Sequence, residues 1–136
     1  MAVLDTATII DLGRRATSPV RRRAWQAVRA RLAAGETLTT TRFNVAELYT
    51  GIELARDSSD EAAKVAFALR WLAVLEFDDR GARAYGKLFS FLQPSGRLPA
   101  DMDLLIASVA VANGHSLVTR NARHFAEIPR LVVHSY

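Results

Sequence analysis

Three acidic side chains stand where short apolar runs begin or end. Asp5 follows Ala2-Val3-Leu4, Glu47 sits early in a helical pattern just past the β-rich residues 37–41, and Asp103 opens the uncharged run Leu104 to Ala112. A carboxylate beside sequence that excludes water is costly unless it is hydrogen-bonded or matched by a cation. Brought together, the three would make an all-oxygen donor set of the kind that suits Mg²⁺ or Mn²⁺. Such an ion would lower the pKa of a bound water and stabilise the charge that develops as a phosphodiester is hydrolysed. Asn121, in the polar turn after Ser116-Leu117-Val118-Thr119, is a neutral candidate for the same edge. Each acid also has a plainer reading: acids are common after strands, and one near a helix start offsets the helix dipole. Spacing alone leaves both readings open.

The elements that must position these groups follow from periodicity. Residues 2–4 read as a central strand presenting Asp5, and residues 6–12 as a helix. Residues 14–31 carry seven arginines and no acid, with Trp25, Val28 and Leu32 at helical spacing, so they read as an amphipathic helix with a basic face, either simply solvated or used to bind RNA. Gly35 ends it, and residues 37–41 form the second strand. Asn44 reads as the N-cap of a helix with the apolar stripe Val45, Leu48, Tyr49, Ile52 and Ala55. Ser58 and Glu61 read as a capping box for the next helix. Residues 74–77 read as a third strand. Asp78 and Asp79 follow it and so compete for a catalytic role, but they rank lower because they serve naturally as caps for the helix that carries Tyr85, Leu88, Phe89 and Leu92. Residues 104–112 are apolar on nearly every side, which marks a buried helix, and it stops at Asn113-Gly114. Residues 116–119 and 131–133 read as the last strands. Alternating short strands and helices predict an α/β domain spanning residues 1–136, with a mostly parallel sheet flanked by helices. In such sheets ligands bind beyond the carboxyl ends of the strands, near a topological switch point. Asp5 and Asn121 would lie at that edge, with Glu47 and Asp103 on helix starts facing it.

Composition narrows the chemistry. With no cysteine, disulfides and thiolate metal sites are excluded. No run is long enough for a membrane-spanning helix, and the first residues lack the basic-then-apolar pattern of a signal peptide, so the expected location is the cytoplasm. The net charge is +4, and arginines, which fit phosphate oxygens in two-point contacts, supply 16 of the 18 basic residues. That excess fits a nucleic-acid partner and equally a GC-rich genome. Arg14, Arg15, Arg120 and Arg123 are candidate phosphate ligands. His115 reads as a surface residue; His124 and His134 read as phosphate contacts or, preferably, as surface residues. Trp25 and Trp71 read as core or dimer-interface residues.

Four segments in order, Val3-Leu4-Asp5-Thr6, Asn44 to Gly51 (NVAELYTG), Asp103 to Ala107 (DLLIA) and Val118 to Phe125 (VTRNARHF), resemble a PIN domain. More narrowly, the chain resembles the VapC ribonuclease toxins of type II toxin–antitoxin systems. The resemblance implies a single PIN domain and Mg²⁺-dependent cleavage of RNA, with Mn²⁺ able to substitute, leaving 5′-phosphate and 3′-hydroxyl ends. It matches Asp5, Glu47 and Asp103 to the family's first three acids, as metal ligands and catalytic residues. Asn121 falls where the family often carries a fourth acid; an amide adds no charge there. Thr6 and Thr119 would add hydroxyl contacts. Asp101, two residues before Asp103, points elsewhere on a helix and reads as an N-cap or outer group. The resemblance also implies a homodimer, and neutralisation by a small VapB-like antitoxin that lays an extended segment and a basic side chain over the acids. The helical surfaces from about residue 21 to 54 and 59 to 71 are the expected contacts. The alternatives are a non-catalytic RNA- or protein-binding module, and a metal-dependent DNase or phosphatase built on the same acids.

Overall fold

The computed structural model describes all of residues 1–136. Five strands form one parallel sheet: β1 (Ala2–Leu4), β2 (Leu38–Thr41), β3 (Ala73–Leu75), β4 (Ser116–Thr119) and β5 (Val133–Ser135), in the spatial order β3-β2-β1-β4-β5. The helices are α1 (Thr6–Leu12), α2 (Pro19–Ala33), α3 (Arg42–Leu54), α4 (Ser58–Leu69), α5 (Asp79–Leu92) and α6 (Asp101–Ala112). The expected α/β architecture with a parallel sheet is the one observed.

Strand alternation divides the core between the two faces of the sheet. Val3 and Leu117 point to one face and pack with Leu88, Leu92, Leu104, Ile106 and Phe125. Ala2, Leu4 and Val118 point to the other and pack with Ile9, Val28, Leu48 and Val65. Each fully buried Leu, Ile, Val or Phe contributes about 1.5–3 kcal/mol. The sheet order reverses at β1: β2 and β3 build outward on one side, β4 and β5 on the other. The crevice past the carboxyl ends of β1 and β4 is therefore the switch point, and Asp5 and Asn121 lie there.

Several boundaries differ from the sequence reading. The N-cap of α3 is Thr41, not Asn44. Asn44 occupies the third helical position and closes a capping box with Thr41. Asp57, not Ser58, caps α4, accepting from the Asp60 N–H at 3.0 Å. Asp101 is the first residue of α6 and caps nothing; the N-cap is Ala100. Asp78 caps α5 as expected, accepting from the Gly81 N–H at 2.9 Å, and Asp79 pairs with Arg83 at 2.7 Å. β3 starts one residue earlier and stops two residues earlier than expected, and Glu76 just past it pairs with the Arg42 guanidinium. β5 begins two residues later than expected, after Arg130 turns the chain with φ 66°. Gly114, also at φ 66°, ends the buried α6 and lets His115 N–H reach Ala110 C=O at 2.9 Å. His115 is buried and meets the Thr39 hydroxyl at 3.3 Å, contrary to its reading as a surface residue. Trp25 and Trp71 are exposed rather than core residues.

A buried acid not singled out in the sequence fastens the chain ends to the sheet. The Asp11 carboxylate is fully buried on α1. It accepts from Arg14 Nε at 2.6 Å, from Arg120 Nη1 at 3.3 Å and from the Tyr136 hydroxyl at 2.9 Å. Burial and the adjacent carboxylate push the Tyr136 phenol well above its ordinary pKa. Arg14 and Arg120, candidates for phosphate contacts, are thus engaged internally. Asp11→Ala removes the acceptor for all three donors and is expected to cost about 2 kcal/mol. Urea unfolding would read this as a lower midpoint at an unchanged slope; an unchanged midpoint would show that the cluster does not support the fold.

Candidate active site

The site is built from the ends of two strands and the starts of two helices. Asp5 lies one residue past β1 and directly before α1, with its residue only 6% exposed. Neutral donors meet its carboxylate on both sides. Thr119 Oγ1, at the end of β4, donates to Oδ2 at 2.7 Å, and Asn44 Nδ2, in the first turn of α3, donates to Oδ1 at 3.1 Å. The Thr6 backbone N–H donates as well. Asn44 Nδ2 also reaches Thr6 Oγ1 at 3.0 Å, and the Thr6 hydroxyl donates onward to Glu47 Oε2. Glu47 stands three residues past Asn44 on α3, so one helix face carries both groups. Asp103, in the first turn of α6, lies with Oδ2 at 3.2 Å from His124 Nδ1.

The three acids share one field. Burial raises the Asp5 pKa, and the Asp103 charge adds to it, while Thr119, Thr6 and Asn44 partly offset the rise. Burial raises Glu47, with further contributions from Asp5 and Asp103. Burial also raises Asp103, offset in part by His124. Asn121 joins through its backbone, its N–H donating to Thr119 Oγ1 at 3.0 Å, and so supports the hydroxyl that holds Asp5.

The acids converge electrostatically, but they do not form a closed cage: no three acid or histidine side chains stand close enough to hold one ion together. This departs from the clustered ligand set expected from the sequence. The cause lies in the partners, since Thr6 holds Glu47, Thr119 and Asn44 hold Asp5, and His124 faces Asp103. The donor chemistry nevertheless fits a hard divalent ion. All the candidate ligands are oxygens, their like charges oppose one another, and an ion that keeps several waters needs only one or two carboxylates.

Three residues take part in ways that the sequence does not indicate. Asn44 was read only as a cap, yet its amide reaches two site residues. Thr119 was read only as a hydroxyl contact for metal water or phosphate; here it orders Asp5. His124 lies at the surface as expected, and in addition it faces Asp103. The available signal was position: each lies within three residues of a site residue or at the end of a strand.

With this geometry described, comparison with known proteins places the chain. The PIN domain profile matches residues 2–131. Ribonuclease VapC2 of Rickettsia felis is 30% identical over 105 residues, which cover 77% of this chain and 78% of that protein. Among solved structures, VapBC2 from Rickettsia felis bound to a promoter DNA fragment superposes with a TM-score of 0.85 at 25% identity, covering 99% of this chain and 98% of that one. VapBC from Salmonella typhimurium bound to DNA gives a TM-score of 0.82 at 25% identity, covering 98% and 96%. The chain belongs to the PIN-domain family and closely resembles the VapC toxins of type II toxin–antitoxin systems, a kinship that supports a nuclease function.

A carboxyl whose pKa is higher in the folded state binds protons more readily there than in the unfolded chain. Its destabilising effect is absent below the ordinary carboxylate range and grows as pH rises through the raised pKa. Glu47→Gln keeps an acceptor oxygen for Thr6 and removes the charge. It is expected to stabilise the fold by roughly 0.5–2 kcal/mol at neutral pH. The gain should vanish in acid, where the parent carboxyl is already neutral. Urea unfolding at both pH values measures it, and a variant less stable than the parent at neutral pH would contradict the charge repulsion described above.

Proposed function

We propose that this chain is a Mg²⁺-dependent endoribonuclease toxin, with Mn²⁺ able to substitute, acting in the cytoplasm and neutralised by a VapB-like antitoxin. One observation carries the reading: at the switch point of a PIN fold, burial raises the pKa of three carboxylates, the charge of Asp103 adds to the rise at Asp5 and Glu47, and only neutral donors hold the most buried of them. Asp5, Glu47 and Asp103 would hold the ion, which when bound supplies an activated water and charge stabilisation for in-line hydrolysis. Thr119 and Asn44 orient Asp5, and Thr6 orients Glu47. Asn121 acts through Thr119. Exposed Arg123 is a candidate phosphate contact beside His124.

The decisive experiment is cleavage of total bacterial RNA by the purified chain with Mg²⁺, with Mn²⁺ and with chelator. Asp5→Asn and Asp103→Asn should each lower metal-dependent cleavage by about 10²-fold or more, while Asp101→Asn keeps most of it. Asp101 and Asp103 losing activity equally would reverse their assignment. The absence of a closed three-ligand set favours a second reading, a binding module without catalysis. RNA binding by a folded chain that cleaves nothing under any condition would select it.

The partner reading has its own surface. A groove of about 1160 Å³ runs between α2 and α4, lined by Ile10, Trp25, Leu32, Phe67, Trp71 and Leu72 among others. Trp71 is 71% and Phe67 63% exposed, which is far more apolar surface than a free helix pair leaves in water. Solved relatives are toxin–antitoxin complexes, and an apolar antitoxin segment fits this groove. Trp71→Ser should weaken antitoxin binding by about tenfold or more and leave RNA cleavage unchanged; equal affinity in a titration of the two forms would move the partner elsewhere. A homodimer belongs to the same proposal.

A further inference from the structure

Asn44 is completely buried, and each atom of its amide is committed. Its Oδ1 accepts from the Thr41 backbone N–H at 3.2 Å and from the Thr41 hydroxyl at 2.7 Å. Its own backbone N–H returns to Thr41 Oγ1 at 3.2 Å. This capping box decides which way the amide faces, because an oxygen bound to two donors at the helix start leaves the NH₂ turned toward the sheet edge. There Nδ2 divides between Asp5 Oδ1 at 3.1 Å and Thr6 Oγ1 at 3.0 Å. The second bond sets a direction. Since Thr6 Oγ1 accepts from Asn44, its single proton is free to donate to Glu47. A directed chain therefore runs Thr41, Asn44, Thr6, Glu47, with a branch to Asp5. It ties the N-terminus of α3 to the end of β1 at the point where two of the acids arise.

We propose that Asn44 is a positioning residue of the active site, converting the capping geometry of α3 into the placement of Asp5 directly and of Glu47 through the Thr6 hydroxyl. The proposal rests on the metal-dependent nuclease reading and adds to it the residue that sets the spacing of two ligands. An ordinary cap residue at this position would need only its acceptor oxygen; the amide nitrogen contributes nothing to the helix. The chemistry calls for asparagine over aspartate here. Aspartate would serve the cap equally well but would set a fourth carboxylate against Asp5.

Two variants separate the cap from the site. Asn44→Asp keeps the acceptor facing Thr41 and replaces the donor by an oxygen. Thr6→Val leaves the cap and the Asn44–Asp5 bond in place and removes the hydroxyl that joins Asn44 to Glu47. Mn²⁺ binding to the purified chain, by calorimetry without RNA, is read beside kcat and KM for RNA cleavage and the urea midpoint. Groups that orient metal ligands typically contribute 10–100-fold. Each variant is expected to lose about that factor in Mn²⁺ affinity and in kcat, with KM within about twofold. The double variant should lose less than the product of the single losses, because Asn44 acts on Glu47 through Thr6. Mn²⁺ affinity and kcat equal to the parent in folded Asn44→Asp would overturn the proposal, and so would losses that multiply in full. If Asn44→Asp does not fold, Thr6→Val alone decides: parent-like Mn²⁺ affinity in it overturns the relay. A parent chain that neither binds Mn²⁺ nor cleaves RNA would instead overturn the nuclease reading itself, a result distinct from any behaviour of the variants.

Discussion

The structure depends on keeping a carboxylate charged at the end of its most buried strand. β1 is the middle strand of five, and Asp5 follows it into a site where water has little access. Desolvation opposes the charge, and so does the nearby Asp103 carboxylate. What makes the arrangement tolerable is a set of neutral donors drawn from distant parts of the chain: Thr119 from β4, Asn44 from α3 and the backbone N–H of Thr6. Hydrogen bonds from neutral groups stabilise a carboxylate without neutralising it, so its charge remains available to a cation. An arginine in the same place would satisfy Asp5 and take the site out of use.

Asp11 shows the opposite solution a turn and a half further along α1. It is as buried as Asp5, but two guanidiniums and a phenol surround it. That charge is settled internally, and the cluster joins α1, the turn after β4 and the last residue. The two aspartates share burial and helix and differ in their partners. The difference is that Asp11 has cationic partners within the chain and Asp5 has none, which is what the proposed metal site requires of Asp5. The same contrast carries a stability cost: Asp5, Glu47 and Asp103 all have raised pKa values, so ionising each of them works against the fold.

The groove between α2 and α4 has the same logic on a larger scale. Two exposed indoles and the Phe67 ring lie along it where an isolated molecule gains nothing from them. The proposed partner would cover them, as the proposed cation would match acids that the chain leaves without a guanidinium or ammonium partner. The sheet edge and the groove are the two places where this molecule is left incomplete.

Local sequence determined much of this. Short apolar runs alternating with helical patterns define the parallel α/β architecture, because strand period and helix period are properties of neighbouring residues. The acids Asp5, Glu47 and Asp103 were legible for the same reason: each interrupts or borders an apolar run. The element ends were less so. Asn44, Ser58 and Asp101 all looked like caps, yet the caps are Thr41, Asp57 and Ala100, since a cap is decided by backbone angles and not by residue type alone. What only the tertiary structure decided is who holds whom. Thr119 meets Asp5 across 114 residues, Asn44 across 39, and Arg120 reaches Asp11 across 109. No local pattern encodes such pairings, because they exist only once β1 and β4 lie side by side and α3 starts beside them. For that reason the sequence indicates which acids border the core, while the fold decides which of them meets guanidiniums and which meets only neutral donors.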